Sequence, residues 1–244
     1  MTLRVQFLLR GLILKRVKNK LKAVIFDMDG TIIKTEHLWE QATRDLLSDR
    51  GFTDLSNDQL EVLASLSGTG LEKSSEILKK EFKLFYSVNT ITQDTKRAAH
   101  KLFESQLEFI DGFEIFHSKL YKHLISTGLA SNADLLSLQL LSKKMNFHKF
   151  FGKHIYSIES IGNIAKPKPD IFLHAADQLK VKPHECIVFE DSLAGFQAAN
   201  AAGMRCVAIK NKTNKKNLEL VCKAIESYHE AEKTLIEIHL TDAT

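Results

Sequence analysis

The chain has few cysteines, no long apolar run, and no large excess of either charge. Cys186, Cys206 and Cys222 are odd in number and lack close metal-ligand spacing. This argues against a disulfide framework and for reduced thiols packed as small apolar groups in a reducing compartment. No stretch approaches the roughly 20 apolar residues that a membrane-spanning helix needs. A net charge of +4, with lysines spread along the chain, does not make a nucleic-acid surface. No internal repeat is visible. Acids are missing before Asp27, whereas residues 1–20 carry Arg4, Arg10, Lys15, Arg16, Lys18 and Lys20. That stretch reads as a basic, disordered extension, whether native or from a start codon placed too far upstream; a targeting presequence or surface anchor is the alternative. The remaining balance, 44% apolar and 26% charged residues, is that of a globular protein of one large or two modest domains.

The most informative stretch is Ala23-Val24-Ile25-Phe26-Asp27-Met28-Asp29-Gly30-Thr31. A short apolar run bounded by turn residues reads as a buried parallel strand. Side chains alternate along a strand, so Asp27 and Asp29 share a face while Met28 points away. Gly30 permits a sharp turn, and two carboxylates then sit at the C-terminal end of a strand, where open α/β sheets bind ligands.

From Glu36 to Ile110 the pattern is helical, with Trp39, Ala42, Leu46 and Leu47 at helical spacing, then Leu60, Leu63 and Leu66, then Ile77, Leu78 and Phe82. Ser67-Gly68-Thr69-Gly70 breaks two of these helices. The absence of any strand pattern here marks 36–110 as an inserted helical domain, flanked by core segments 21–35 and 111–244. An α/β rhythm resumes at Asp111-Gly112. A helix over 113–121 precedes an apolar stretch ending in Ser131-Asn132, and a leucine-rich helix follows. A short strand is expected around His154–Tyr156. Pro169 is well placed to start a helix bearing Ile171, Phe172, Ala175, Ala176 and Leu179. Cys186–Phe189 is a second buried run ending in paired acids, Glu190-Asp191. A helix from Ser192 to Gly203 and a strand over 205–209 follow, then a lysine-rich loop and a polar helix.

In a parallel sheet these strand ends lie along one edge. Asp27 there can attack phosphorus and form an aspartyl phosphate, while Asp29 protonates the leaving oxygen and later deprotonates water. Mg²⁺ held by Asp27 and Asp191 offsets the repulsion between carboxylate and phosphate. Lys166 adds positive charge, and the Ser131 hydroxyl with nearby N–H groups can hold phosphoryl oxygens. Ser131 also suits a helix N-cap, and Glu190 suits either the metal or a cap for the next helix. His37 fits a substrate contact or a hinge. The lysines at 210, 212, 215 and 216 fit a solvated loop.

With its motifs in this order, the chain resembles the haloacid dehalogenase (HAD) superfamily. Asp27-Met28-Asp29-Gly30-Thr31, Ser131, Lys166 and Glu190-Asp191 stand at its four motifs, across about residues 22–210. The resemblance implies a Rossmann-like α/β core with an inserted all-α cap over 36–110, and Mg²⁺ held by Asp27, the Asp29 main-chain carbonyl and Asp191, with Glu190 a further candidate. Phosphate contacts fall to Ser131, Asn132 and Lys166, and substrate selection to Gly68, Thr69, Gly70 and His37. Finer matches at Thr35–Trp39, Lys166–Phe172 and Phe189–Gly195 resemble the β-phosphoglucomutase-like and pseudouridine-5′-phosphatase-like branch. Two departures disfavour a hexose-phosphate mutase: Gly70-Leu71-Glu72 stands where mutases carry a cap arginine, and Asp134-Leu135 where they carry Lys-Asn. An acid at Asp134 would repel a second phosphate. The presence of Asp29 disfavours dehalogenation. The expectation is a Mg²⁺-dependent phosphatase of a small phosphorylated metabolite, cytoplasmic, monomeric or weakly dimeric, without nucleic-acid or membrane partners. A mutase and a non-catalytic phospho-ligand sensor are the alternatives.

Overall fold

The computed structural model describes residues 20–66 and 69–241. Residues 1–19 of the basic extension, and Gly68, lie outside the described residues. Two compact units form, one of Lys34–Glu108 and the other of the remaining described chain.

The larger unit is built on six parallel strands: β1 (Ala23–Phe26), β2 (Ser126–Ala130), β3 (Ile155–Tyr156), β4 (Cys186–Glu190), β5 (Arg205–Ile209) and β6 (Lys223–Ile225), in spatial order β3-β2-β1-β4-β5-β6. Helices α5 (Phe113–Lys122), α6 (Leu135–Met145), α7 (His148–Phe151), α8 (Asp170–Leu179), α9 (Leu193–Ala201) and α10 (Ala231–Thr241) connect and flank them. The two central strands, β1 and β4, are buried along their whole length, which is why they read as continuous apolar runs. Alternation sorts their side chains. Ala23 and Ile25 join Cys186, Val188, Phe172 and Phe196 in one apolar layer. On the other face Phe26 stacks on Phe189 at 5.4 Å and meets Phe113 edge-on at 5.6 Å. The fully buried Tyr228 packs among these rings and donates its hydroxyl hydrogen to the Thr31 carbonyl.

The edge strand β6 is absent from the sequence expectation. It has three residues, of which only Ile225 is buried, too short a run to display a period. The unit boundary falls at Ile33 and Phe109 because these residues pair as an antiparallel bridge, and the Ile110 N–H donates to the Ile32 carbonyl.

The smaller unit contains α1 (Glu36–Ser48), α2 (Asn57–Ser65), α3 (Leu71–Glu81) and α4 (Val88–Gln106). Ser56 and Gln59 cap α2 reciprocally, and Ser87 caps α4. Leu46, Leu47, Leu63, Leu78 and Ile91 form its core.

His117 on α5 sits between the rings of Phe113, Phe150 and Phe151, with Nε2 3.0 Å from the Thr127 hydroxyl. Burial lowers its pKa from 6.5 to about 4, against a smaller opposing effect of the Phe150 carbonyl. The folded protein therefore keeps the ring neutral where the unfolded chain takes up a proton. This contribution is complete above the unfolded value and is lost as pH falls toward the folded one. The buried acids described below act in the opposite direction, so a paired comparison isolates the histidine. Between about pH 7.5 and about pH 5, urea unfolding of His117→Gln should lose about 2 kcal/mol less stability than the unsubstituted protein. Equal losses in both would contradict this assignment.

Candidate active site

The two strands that carry paired acids are neighbours, with Phe26 opposite Phe189. The Asp27 N–H extends the ladder by donating to the Phe189 carbonyl at 3.0 Å. Alternation then turns Asp27 and Glu190 to the same side as Ile25 and Val188. Beyond Asp27, Gly30 donates to the Ile33 carbonyl, and Thr31, Ile32 and Ile33 all donate to the Met28 carbonyl, a tight loop that carries Asp29.

Lys166 joins the two acids. Its Nζ donates to Asp27 Oδ1 at 2.6 Å, to Glu190 Oε1 at 2.8 Å and to the Ala130 carbonyl at 3.0 Å, so all three ammonium hydrogens have partners. The ammonium also lies 4.6 Å from the centre of the Phe172 ring. Its side chain is 2% exposed. Burial opposes its charge, but the two carboxylates outweigh this and raise its pKa above the ordinary lysine value.

Glu190 is used on both oxygens. Oε2 accepts from the Asp191 and Ser192 N–H groups, each at 2.7 Å, and from the Ser192 hydroxyl at 3.0 Å. Ser192 in turn caps α9 by accepting from the Gly195 N–H. Asp191 is held differently. Asn211 Nδ2 donates to its Oδ2 at 3.0 Å, and Thr31 donates to its Oδ1 at 3.4 Å. Asn211 and Asn214 also donate to its main-chain carbonyl at 3.1 and 2.8 Å.

Oxygens of Asp27, Glu190 and Asp191 all lie within 4.8 Å of one another. Asp27's pKa rises to about 7, chiefly through burial and against the pull of Lys166, with Glu190 and Asp29 adding to the rise. Asp191 is raised well above the carboxylate range by burial, then by repulsion from Glu190, Asp27 and Asp29. Several acids thus crowd around one ammonium. A hard divalent cation, which prefers carboxylate oxygens, fits this donor set and this surplus of negative charge.

Asp27, Lys166 and Glu190 are therefore in contact, Asp191 lies within 4.8 Å of both acids, and Asp29 lies close enough for its charge to bear on Asp27 and Asp191. Ser131, at the end of β2, is buried, and its Oγ accepts from the Ala133 N–H at 3.0 Å. It is not the N-cap of α6; Asp134 takes that place, accepting from the Ser137 N–H and hydroxyl. Asn132 accepts the Lys166 N–H on its Oδ1 at 3.0 Å and so fixes the lysine's main chain. In the smaller unit His37 is exposed on α1, Thr69 donates to the Leu66 carbonyl at 2.6 Å, and Gly70 caps α3. The loop after β5 is more than a solvated lysine run, because its Asn211 and Asn214 grip Asp191. Sequence reasoning missed both asparagines: neither lies in a motif, and only the asparagine spacing in a loop that follows a core strand hinted at a turn.

The profile of the haloacid dehalogenase-like hydrolases matches residues 24–209. The chain belongs to that family. This hydrolase is 31% identical over 198 residues to a probable pseudouridine-5′-phosphatase of Drosophila melanogaster, covering 80% of this chain and 84% of the fly protein. It is 33% identical over 204 residues to SUPPRESSOR OF QUENCHING 1 of Arabidopsis thaliana, but spans only 18% of that protein's length against 79% of its own. In three dimensions it is similar to a conserved haloacid dehalogenase-like protein of Agrobacterium tumefaciens, with a TM-score of 0.76, 25% identity, and coverage of 89% of this chain and 99% of that one.

The hydrolase leaves no space at one glycine of α9. A Cβ on Gly195 would fall 1.8 Å from the Glu190 carboxyl carbon. Alanine ordinarily favours a helix over glycine by up to about 1 kcal/mol. Here Gly195→Ala should instead destabilise the protein by about 1–3 kcal/mol, read by urea unfolding, because Glu190 is fixed at both oxygens. A neutral or stabilising effect would show that the carboxylate has room to move.

Proposed function

We propose that this hydrolase is a divalent-cation-dependent phosphatase of a small phosphomonoester, working through an aspartyl phosphate on Asp27. The observation that carries the reading is the buried cluster of Asp27, Glu190 and Asp191 around the single ammonium of Lys166. Asp27, Asp191 and the Asp29 main-chain carbonyl would hold Mg²⁺, while Glu190, already engaged on both oxygens, acts by fixing Lys166 and the Asp191 main chain. When bound, Mg²⁺ offsets the negative charge that the substrate's phosphate brings to these acids.

Asp27 attacks phosphorus as its bond to the leaving oxygen breaks, and Asp29 delivers the proton that this oxygen needs. Asp29 then takes a proton from the water that attacks the aspartyl phosphate, which frees inorganic phosphate and restores Asp27. The Ser131 hydroxyl and Lys166 steady the phosphoryl oxygens, and Asn132 keeps Lys166 in register. The helical unit serves as the cap, with Gly68, Thr69, Gly70 and His37 the residues to examine for substrate choice. A sugar or nucleoside monophosphate fits the reading, in keeping with the phosphatase name of the fly relative. Among the described residues no helix is long and apolar enough to cross a membrane. Cys186 and Cys206 lie buried as free thiols, which supports a reducing compartment such as the cytoplasm.

Phosphate release from a panel of sugar phosphates, nucleoside monophosphates and phosphoglycolate should require Mg²⁺ and stop with EDTA. Asp27→Asn should lose at least about a thousandfold in kcat while still unfolding in one cooperative transition, since the nucleophile is gone and the shape is kept. Phosphatase activity that survives Asp27→Asn would overturn the mechanism.

A further inference from the structure

The turn after β5 is braced to a degree that a solvated loop does not need. The Asn211 side-chain oxygen accepts from the Thr213 N–H, the Thr213 hydroxyl and the Asn214 N–H, each at 2.9 Å. Asn214 returns the contact by accepting the Asn211 N–H at 3.1 Å. Each asparagine then spends its amide hydrogens outward. Asn214, only 2% exposed, donates to the Asp191 carbonyl and to the Ile209 carbonyl, both at 2.8 Å. Asn211 donates to the Asp191 carbonyl and to its Oδ2. The two amides thus tie the end of β5 to the main chain and one carboxylate oxygen of Asp191.

That oxygen is closed off from a second side as well. A Cβ on Gly30, whose φ is +72°, would stand 2.1 Å from Asp191 Oδ2, so the main chain of the first acidic loop runs directly past it. Among the described residues Oδ1 has a single long contact, from the Thr31 hydroxyl at 3.4 Å. Asp191 therefore has one firmly engaged oxygen, Oδ2, and one loosely held oxygen, Oδ1. The group engaging it is neutral. An amide orients a carboxylate without cancelling its charge, whereas an ammonium in that place would compete with a cation.

We propose that Asn211 and Asn214 are positioning residues for the divalent cation, and that Asn211 makes Asp191 a one-oxygen ligand, which favours Mg²⁺ over Ca²⁺. Mg²⁺ demands near-octahedral geometry with single-oxygen carboxylate ligands and retained water, while Ca²⁺ accepts bidentate carboxylates and looser coordination. Partners that orient a ligand typically contribute about 10- to 100-fold in metal affinity. This inference rests on the cation role of Asp191 proposed above.

The test is isothermal titration of the metal-free full chain with Mg²⁺ and, separately, with Ca²⁺, alongside thermal unfolding without metal. Asn211→Leu should weaken Mg²⁺ binding by about tenfold or more and weaken Ca²⁺ binding less, so that the Mg²⁺ preference shrinks. Asn214→Ser should weaken Mg²⁺ binding in the same direction. Asn200→Ala removes a comparable amide-to-carbonyl bond, to Leu220, away from Asp191, and should leave both affinities unchanged. If Asn211→Leu does not fold, Asn211→Ser, which lacks an amide donor of that reach, replaces it. Mg²⁺ and Ca²⁺ affinities in the Asn211 variant both within twofold of the unsubstituted protein would overturn this proposal and leave the proposed function standing. An unsubstituted protein that binds no Mg²⁺ would overturn both.

Discussion

Buried negative charge in excess of buried positive charge is the constraint on which the site depends. Asp27, Glu190 and Asp191 converge where β1 and β4 end, and one ammonium stands among them. Moving a carboxylate out of water is unfavourable unless something compensates it. Lys166 compensates Asp27 and Glu190 directly, with both partners and itself almost wholly buried. Among the described residues the Asp191 carboxylate accepts from one amide and one hydroxyl, both neutral. The remaining imbalance appears as the raised pKa values of Asp27 and Asp191, and the divalent cation proposed above would relieve it.

The fold serves this arrangement through two close approaches. At Gly30 the main chain passes against Asp191, and at Gly195 the first turn of α9 passes against Glu190. Neither position tolerates a side chain without moving an acid. Tyr228 donates to the carbonyl of Thr31, whose hydroxyl reaches Asp191, so the aromatic layer under the sheet also anchors the acidic loop. Packing and charge are thus joined through a few short contacts at one edge of the sheet.

The parts legible in the sequence are those with a local pattern. β1 and β4 are inner strands, buried throughout, and a continuous apolar run ending in acids reveals them. Lys166 lies 139 residues from Asp27, yet its place just before Pro167, in order among the other motifs, singles it out, and its Nζ meets Asp27 at 2.6 Å. What stayed hidden is what the sheet brings together after folding. Asn211 and Asn214 reach Asp191 only because β5 lies beside β4, and asparagines in a loop look like any turn. Ser131 looks like a helix cap because it precedes a helix, but the helix starts later, at Leu135, with Asp134 as its cap. Asn132 is expected to contact phosphate, and folding adds a bond from the Lys166 N–H to its oxygen. β6 has a single buried residue and depends on β5 for its existence.

The central claim is that Asp27 carries the phosphoryl group. It is tested most directly by acid-quenching the hydrolase during turnover of a slowly released phosphomonoester with Mg²⁺ and mapping the peptides by mass spectrometry. The account predicts one phosphoryl group on the peptide containing Asp27, chased to inorganic phosphate by unlabelled substrate and missing in EDTA. A chase-competent label on a different residue would contradict it, as would steady turnover during which the Asp27 peptide never gains that mass.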